Sequence, residues 1–496
     1  MSVTDNSRRE ADLIESYEQV KSRLKTNSNK ELLKQDLARI ITDLLQQNCY
    51  FAQVDQFFDY LDEFYALDLS AKDSVIYENV IWQVGKLIKE LINAKAPSKV
   101  FESLYARISH TKLPKYSSLF TFITSSILET RDLTKSYLPI LLNYRVRYLP
   151  ENHFQAIDQD GEKKPSLGEL LLLTIAKDIT NQENPKPSDV KILLEELDFV
   201  SEKYSNIPYI GYYQTKAYHS IGDQDKAEQS ILLYLKKRSK EHLAWELYSD
   251  VLENKEQKVQ ALCKTVICHA NSSQLIRSQT KLFHMMLDEK KYDIAKSLHA
   301  FISKTQKEFG KGSSDLWKSY RSRDWYKKVK KEVNIFHYCF QRSNELVADV
   351  FKDWTPQNGI IYGLNKSKDL AQFIVSDQIH GAYKCFGDPT IKVGHFVSLK
   401  LQRVANREGV KYKVLHLEKS EKRPKRSVYK VLEDEISEQN GKHMIGPIPI
   451  NYSFAESRGY KIGDKVRVKA VKLPSSRFNE DAKWKVLSIF NQDKTN

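Results

Sequence analysis

Glycine is the residue whose distribution most limits what this chain can become. Seven of the 17 glycines fall in the first 354 residues and ten in the last 142. Glycine costs a helix interior about 1 kcal/mol relative to alanine and supplies the positive φ angles that tight turns need. A long glycine-poor stretch followed by a short glycine-rich one therefore predicts a helical body and then a strand-and-turn C-terminal part. Charge follows the same division. Residues 351–496 carry 27 Lys and Arg against 16 Asp and Glu, residues 311–350 nine against five, and residues 1–310 a near-balanced 42 against 43. Basicity confined to one end fits a polyanionic partner, although a solubility device would look the same.

Within the glycine-poor body the apolar residues recur at helical spacing, as in Leu37, Ile40, Ile41, Leu44 and Leu45, and again in Ile81, Val84, Leu87, Ile88 and Leu91. Each set forms a stripe that needs a partner helix. Pro97, Pro114, Pro150, Gly161 to Pro165 and Pro185 to Pro187 cut the stripes into helices of ordinary length, which suits stacked helix pairs. The aromatic run Phe51, Phe57, Phe58, Tyr60, Phe64 and Tyr65 has two readings, a peptide groove or packing between successive helices. The pair Glu195 and Glu196 reads as part of an exposed charged face.

Between residues 208 and 307, Ala227, Ala261 and Ala295 recur at one constant interval beside helical stripes, with Trp245 placed to fill the space inside a helix pair. The stretch from Ala217 and Tyr218 through the Gly222-Asp223 turn to Ala227 resembles the tetratricopeptide repeat, in which a small residue lets two helices approach closely. The third unit keeps Tyr292 and Ala295 in phase, and Val329 stands where a fourth alanine would fall. Residues 315–352 read as a basic connector helix, with Lys318, Arg321, Arg323, Lys327, Lys328, Lys330 and Lys331 close together.

From Gly359 the pattern becomes two-residue alternation, and two sets of short strands follow one another, each expected to close into a small barrel. Both contain a glycine-led approach to the fourth strand, Lys392-Val393-Gly394-His395-Phe396-Val397 and Lys461-Ile462-Gly463-Asp464-Lys465-Val466. Gly359-Ile360-Ile361-Tyr362-Gly363-Leu364-Asn365 with Phe373-Ile374-Val375 resembles the opening of a cold-shock domain. The Gly463 segment with Trp484-Lys485-Val486 resembles its close. That family implies an oligonucleotide-binding fold that stacks single-stranded bases on aromatics over a basic surface. The usual aromatic run is thinned here, to Phe373 in the first module and His443 in the second.

The expected fold class is multidomain, an all-α helical-repeat solenoid of tetratricopeptide type followed by two small all-β barrels. The expected division is a tail and first helix (1–30), divergent helical repeats (31–207), tetratricopeptide-like repeats (208–310), the connector (311–354) and barrels at 355–420 and 427–491. Candidate base-stacking residues are Tyr362, Phe373, Tyr383 and Tyr412; candidate phosphate contacts are Lys400, Arg403, Arg407, Lys411 and Lys413. In the linker, Lys422, Arg423, Lys425 and Arg426 join them, unless that segment is only a solvated spacer. The chain holds no GxxxxGK[ST], HExxH or GxSxG pattern, and its five cysteines lack CxxC spacing. They read as reduced core thiols, and Cys263, Cys268 and His269 lack metal-ligand spacing. A non-enzyme without cofactor or metal, cytoplasmic and without a membrane span, is the resulting expectation. It would couple a protein partner, held by the repeats, to single-stranded nucleic acid, RNA before DNA; the alternative is a pure protein-interaction scaffold.

Overall fold

The computed structural model describes residues 3–491 apart from 27–29, 70–73, 110, 112, 160–161, 205–206, 269–272, 311, 313, 331, 387, 389, 407–408, 440 and 475–483. Gly161, His269, Lys331 and Arg407 thus lie outside the described residues. The chain divides into two units, residues 1–227 and 228–496.

The first unit is helical. Its helices include Lys30–Gln47, Val54–Ala66, Ser74–Asn93, Ser98–Ile108, Ser118–Glu129, Tyr137–Tyr144, Leu167–Thr180 and Pro187–Lys203. Pro97 and Pro187 sit at helix starts, where the missing N–H costs nothing. One continuous core takes in both apolar stripes together with Phe57, Phe58 and Phe64, so that part of the aromatic run packs helices together, while Phe51 is exposed and Tyr65 lines a groove. Gly85 permits one close crossing: a Cβ there would overlap the Phe122 ring, which stacks on Trp82 at 4.7 Å. A hairpin, β1 (Ile157–Gln159) with β2 (Glu162–Lys164), interrupts the helices. Glu196, contrary to the expected exposed face, is buried. Its carboxylate accepts from Arg145 Nη1 at 3.1 Å, Arg147 Nε at 2.7 Å and the Arg147 backbone N–H at 2.9 Å. Burial of a carboxylate is tolerated when donors satisfy its lone pairs in this way.

In the second unit the helices His242–Val251 with Lys255–Cys268 and Ile276–Asp288 with Tyr292–Glu308 form successive pairs. The evenly spaced alanines are all fully buried, as is Trp245, whose indole N–H donates to the Ser239 carbonyl at 2.9 Å. The connector is not one helix. It breaks into Asp315–Ser319, Asp324–Lys328 and Ile335–Val350. The reason is aromatic packing: Trp317, Tyr320 and Tyr326 fold around buried His299, with Trp317 stacked on its ring at 4.6 Å and the Trp317 carbonyl 2.9 Å from Nε2. Ile335–Val350 then packs along Lys255–Cys268.

Two five-stranded antiparallel sheets follow. The first contains β3 (Gln357–Asn365), β4 (Leu370–Ser376), β5 (Ile379–Lys384), β6 (Phe396–Asn406) and β7 (Gly409–Lys419), ordered β5-β4-β3-β6-β7. The second contains β8 (Tyr429–Gln439), β9 (Lys442–Ile445), β10 (Ile448–Ile450), β11 (Lys465–Lys472) and β12 (Trp484–Asn491), ordered β10-β9-β8-β11-β12. Taken within each sheet, both orders are third, second, first, fourth, fifth. In each case the edge strands approach one another, curling the sheet into a barrel. The glycine-led turns are alike in their bonding. Gly394 and Gly463 have φ of +90° and +91°. The Gly394 N–H donates to Ile361 and the Gly463 N–H to Ile436, both at 2.8 Å; the answering bonds, Ile361 N–H to His395 and Ile436 N–H to Asp464, are both 3.0 Å. Only glycine takes these φ values without strain.

The barrels are docked on each other. Ile360, Ile374, Val428, Tyr429 and Val471 share one apolar cluster, with Phe396 edge-on to Tyr429 at 5.0 Å. Strand β4 serves two clusters: Ala371, Phe373 and Val375 enter the first barrel's core and Ile374 the inter-barrel contact, while Gln372 is exposed. A short helix absent from the sequence reading, Tyr452–Glu456, lies between β10 and β11 and adds Phe454 and Ala455 to the second core.

Candidate nucleic-acid interface

Alternation along a strand decides which aromatics can reach a ligand. Phe373 is fully buried in the first barrel's core, so as a stacking candidate it is corrected to a core residue. Tyr362 is half-buried in the inter-barrel contact, where its carbonyl accepts from Lys485 Nζ at 3.2 Å. Tyr383 and Phe386 turn instead toward the helix Ile335–Val350: Phe340 lies 5.9 Å from Tyr383 and 5.8 Å from Phe386, which also stacks on Phe336 at 6.4 Å. These contacts hold Phe386 at φ +49°, a conformation that needs such support in a bulky residue. Burial pushes the Tyr383 hydroxyl far above its usual pKa, so it stays protonated.

The basic candidates separate in the same way. Lys400 donates to the Ala348 carbonyl at 3.1 Å, near the C-terminus of that helix, where a cation also complements the helix dipole. Arg403 is exposed on β6, across from Tyr412 on β7. Lys422, Arg423, Lys425 and Arg426 project from a turn in which the Val428 and Tyr429 N–H groups both donate to the Lys425 carbonyl at 3.1 Å. The linker is therefore a fixed basic turn between two docked barrels.

Lys411, Tyr412, Lys413 and Tyr383 come together. They line a cavity of about 470 Å³ whose other wall is Ser239, Lys240, Lys264, Ile267 and Cys268 from the helical repeats, with Lys384, Phe386 and Val404 also in its lining. Sequence reasoning missed Lys240 and Lys264, because they lie far before Lys411 in the chain and sit among other lysines with no distinguishing motif. Burial, reinforced by Lys240, Lys264 and Arg238, pulls the Lys413 ammonium down to about 8. Burial likewise lowers Lys264, with Lys240 adding to it and Cys268 opposing. Ammonium groups held close together in a half-buried cleft repel one another and are relieved by an anion. Among the described residues lining the cavity none is acidic, and no group of three or more His, Cys, Asp or Glu able to hold a metal occurs among the described residues.

Comparison with known proteins gives two family matches. Residues 208–344 match a domain of unknown function (DUF7017), and residues 351–414 match S1/CSD-like domain 1 of the TOTE conflict systems. No curated protein matches the chain. Among solved structures, a human IFIT1 dimer with m7Gppp-AAAA is similar at 12% identity, covering 71% of this chain and 79% of that one with a TM-score of 0.14. A monomeric IFIT1 mutant with Gppp-AAAA is similar at 11% identity, covering 69% and 78%, also at 0.14. A designed cyclic homooligomer matches at 10% identity, covering 71% and 97%, at 0.10. The paired helices with their buried, evenly spaced alanines are similar to tetratricopeptide repeats, and the duplicated five-strand topology, with the S1/CSD-like match over residues 351–414, makes the C-terminal part similar to tandem cold-shock-like barrels.

Proposed function

We propose that the protein is a non-enzymatic adaptor that grips single-stranded nucleic acid, RNA in preference to DNA, at the face where the first barrel meets the last repeats, and that its helical repeats hold a protein partner. The observation that carries this reading is the convergence of Lys411, Lys413, Lys240 and Lys264 with Tyr383 and Tyr412 around one cleft. Cations for phosphate beside an aromatic for a base are the two parts a single-strand site requires. Cold-shock and related barrels are common RNA-reading modules, which favours RNA. The family description matched by residues 351–414 refers to conflict systems and supports a bacterial defence complex as the setting over general RNA metabolism. For the partner, the first unit offers a groove of about 830 Å³ lined by Tyr65, Tyr77, Ile81, Leu113 and Pro114, with the Arg107–Asp62 ion pair at 2.9 Å on its wall.

Binding of a 12-nucleotide single-stranded RNA to the full chain, followed by fluorescence anisotropy, tests the adaptor. Affinity should fall at least tenfold between about 50 and 200 mM salt, since each neutralised phosphate steepens the salt dependence. Reversing Arg423, Lys425 and Arg426 to glutamate should weaken it further. Affinity indifferent to both would sink the proposal. A second reading, a pure interaction scaffold, is favoured by one observation: Tyr383 and Phe386 spend much of their surface on the helix Ile335–Val350. Capture of the same protein partners after nuclease treatment, through the barrels alone, would select it.

A further inference from the structure

We propose that the cavity between the last repeats and the first barrel is a receptor for a terminal phosphomonoester on a nucleotide, distinct from the phosphodiester backbone that the surrounding basic surface holds. This deepens the reading of the same face as a nucleic-acid interface and rests on it. Four features carry it.

The first is shape and size. At about 470 Å³ the cavity falls in the range of about 300–1,000 Å³ that encloses small ligands. Such a pocket suits one nucleotide with its phosphate, whereas a continuous strand would have to thread through it. The second is charge. Lys240, Lys264, Lys384, Lys411 and Lys413 line it, and the nearby carboxylate of Glu241, which acts on Cys268, is outside the lining. A phosphomonoester carries close to two negative charges near neutral pH and a backbone phosphodiester only one, so the monoester matches several ammoniums better.

The third feature is an orphaned donor. Ser239 is buried, it lines the cavity, and its Oγ has no hydrogen-bond partner among the described residues. A buried hydroxyl without a partner costs free energy, and a phosphate oxygen would satisfy it. The fourth is the aromatic wall of Tyr383, Phe386 and Tyr412, which supplies a surface for a base or ribose beside the cations. The groups that act on Lys413 are Lys240, Lys264, Arg238 and Cys268. With the amine poised near 8, binding of an anion should weaken as pH rises from 7 to 9.

The test uses the full chain and one short RNA in three forms, bearing a 5′-phosphate, a 3′-phosphate or neither, with free AMP as a separate probe. The proposal predicts at least tenfold tighter binding of one phosphorylated form than of the unmodified form. Ser239→Ala should shrink that preference while leaving affinity for the unmodified strand within about twofold, whereas Lys240→Gln should shrink it and lower affinity for every strand. Competition by AMP at comparable concentration would assign the pocket to free nucleotide; preference for the phosphorylated strand without AMP competition would assign it to strand ends. Equal affinity for all three strands together with no AMP binding would overturn the pocket and leave the adaptor reading standing. AMP binding with no strand binding would overturn the adaptor reading and leave the pocket standing.

Discussion

The two barrels have the same strand order and the same glycine turn, yet they face different surroundings. The first lies against the helix Ile335–Val350 and shares a lysine-rich cavity with the repeats. The second docks on the first through Val428, Tyr429 and Val471, and keeps cation–ring pairs on its strands, with Lys430 4.1 Å from Trp484 and Lys469 4.9 Å from the exposed Phe490. The shared features are local: a positive-φ glycine, a reciprocal pair of backbone bonds and alternating apolar residues. The differences come from what is packed on the outside. The same scaffold therefore borders a recessed, lysine-lined cavity in one copy and carries an open basic-aromatic face in the other.

Four perturbations sharpen that contrast. Phe373→Ala empties the centre of the first core and should cost about 3–5 kcal/mol, read by chemical denaturation. If instead Phe373 served as a stacking residue, the loss would fall on RNA affinity with stability unchanged. Next, Gly394→Ala and Gly463→Ala should each cost about 1–2 kcal/mol, because alanine resists positive φ while nothing within 4 Å of either glycine would clash. Unequal costs would mean that the turns are less alike than their bonds. Third, Lys411→Glu with Lys413→Glu should lower single-strand affinity about tenfold, whereas Lys465→Glu with Lys469→Glu on the second barrel should change it less than about threefold. The reverse ranking in a binding titration would move the site to the second barrel.

The smallest effect is in pH. His395 and Asp464 hold equivalent places: the Lys392 N–H donates to His395 Nδ1 at 3.3 Å and the Lys461 N–H to Asp464 Oδ2 at 2.7 Å. Burial, with Lys419 and Lys392 nearby, lowers the His395 pKa below its ordinary value near 6.5. The folded state then binds fewer protons than the unfolded one, so this contribution to stability is present above about 6.5 and is lost as pH falls below it. Thermal melts at pH 7 and 5 should show a loss that His395→Asp reduces.

Much of this architecture is legible in the residues, and the parts that are not have physical causes. The glycine turns and the evenly spaced alanines can be read because each reports a local requirement: a φ value in one case, a close helix crossing in the other. The connector cannot, because its basic residues suit a helix and only tertiary packing of Trp317, Tyr320 and Tyr326 on His299 breaks it. Phe373 reads as a free aromatic because alternation alone does not say which face of β4 turns into the first barrel's own core, and Tyr362 because its half-burial comes only from docking of the second barrel. Glu196 reads as exposed because its partners, Arg145 and Arg147, lie far earlier in the chain, beyond an intervening hairpin and helix. Half of the cavity is visible as Tyr383, Lys411, Tyr412 and Lys413; the half from Ser239, Lys240 and Lys264 exists only once the chain is folded.

The most direct test of the central claim is photo-crosslinking of a 4-thiouridine-substituted single-stranded RNA to the full chain, with the adducts mapped by mass spectrometry. The account predicts adducts on residues 383–386 and 411–415, with a further cluster at 239–240 or 264–268. Adducts confined to the second barrel or to the first helical unit would contradict it.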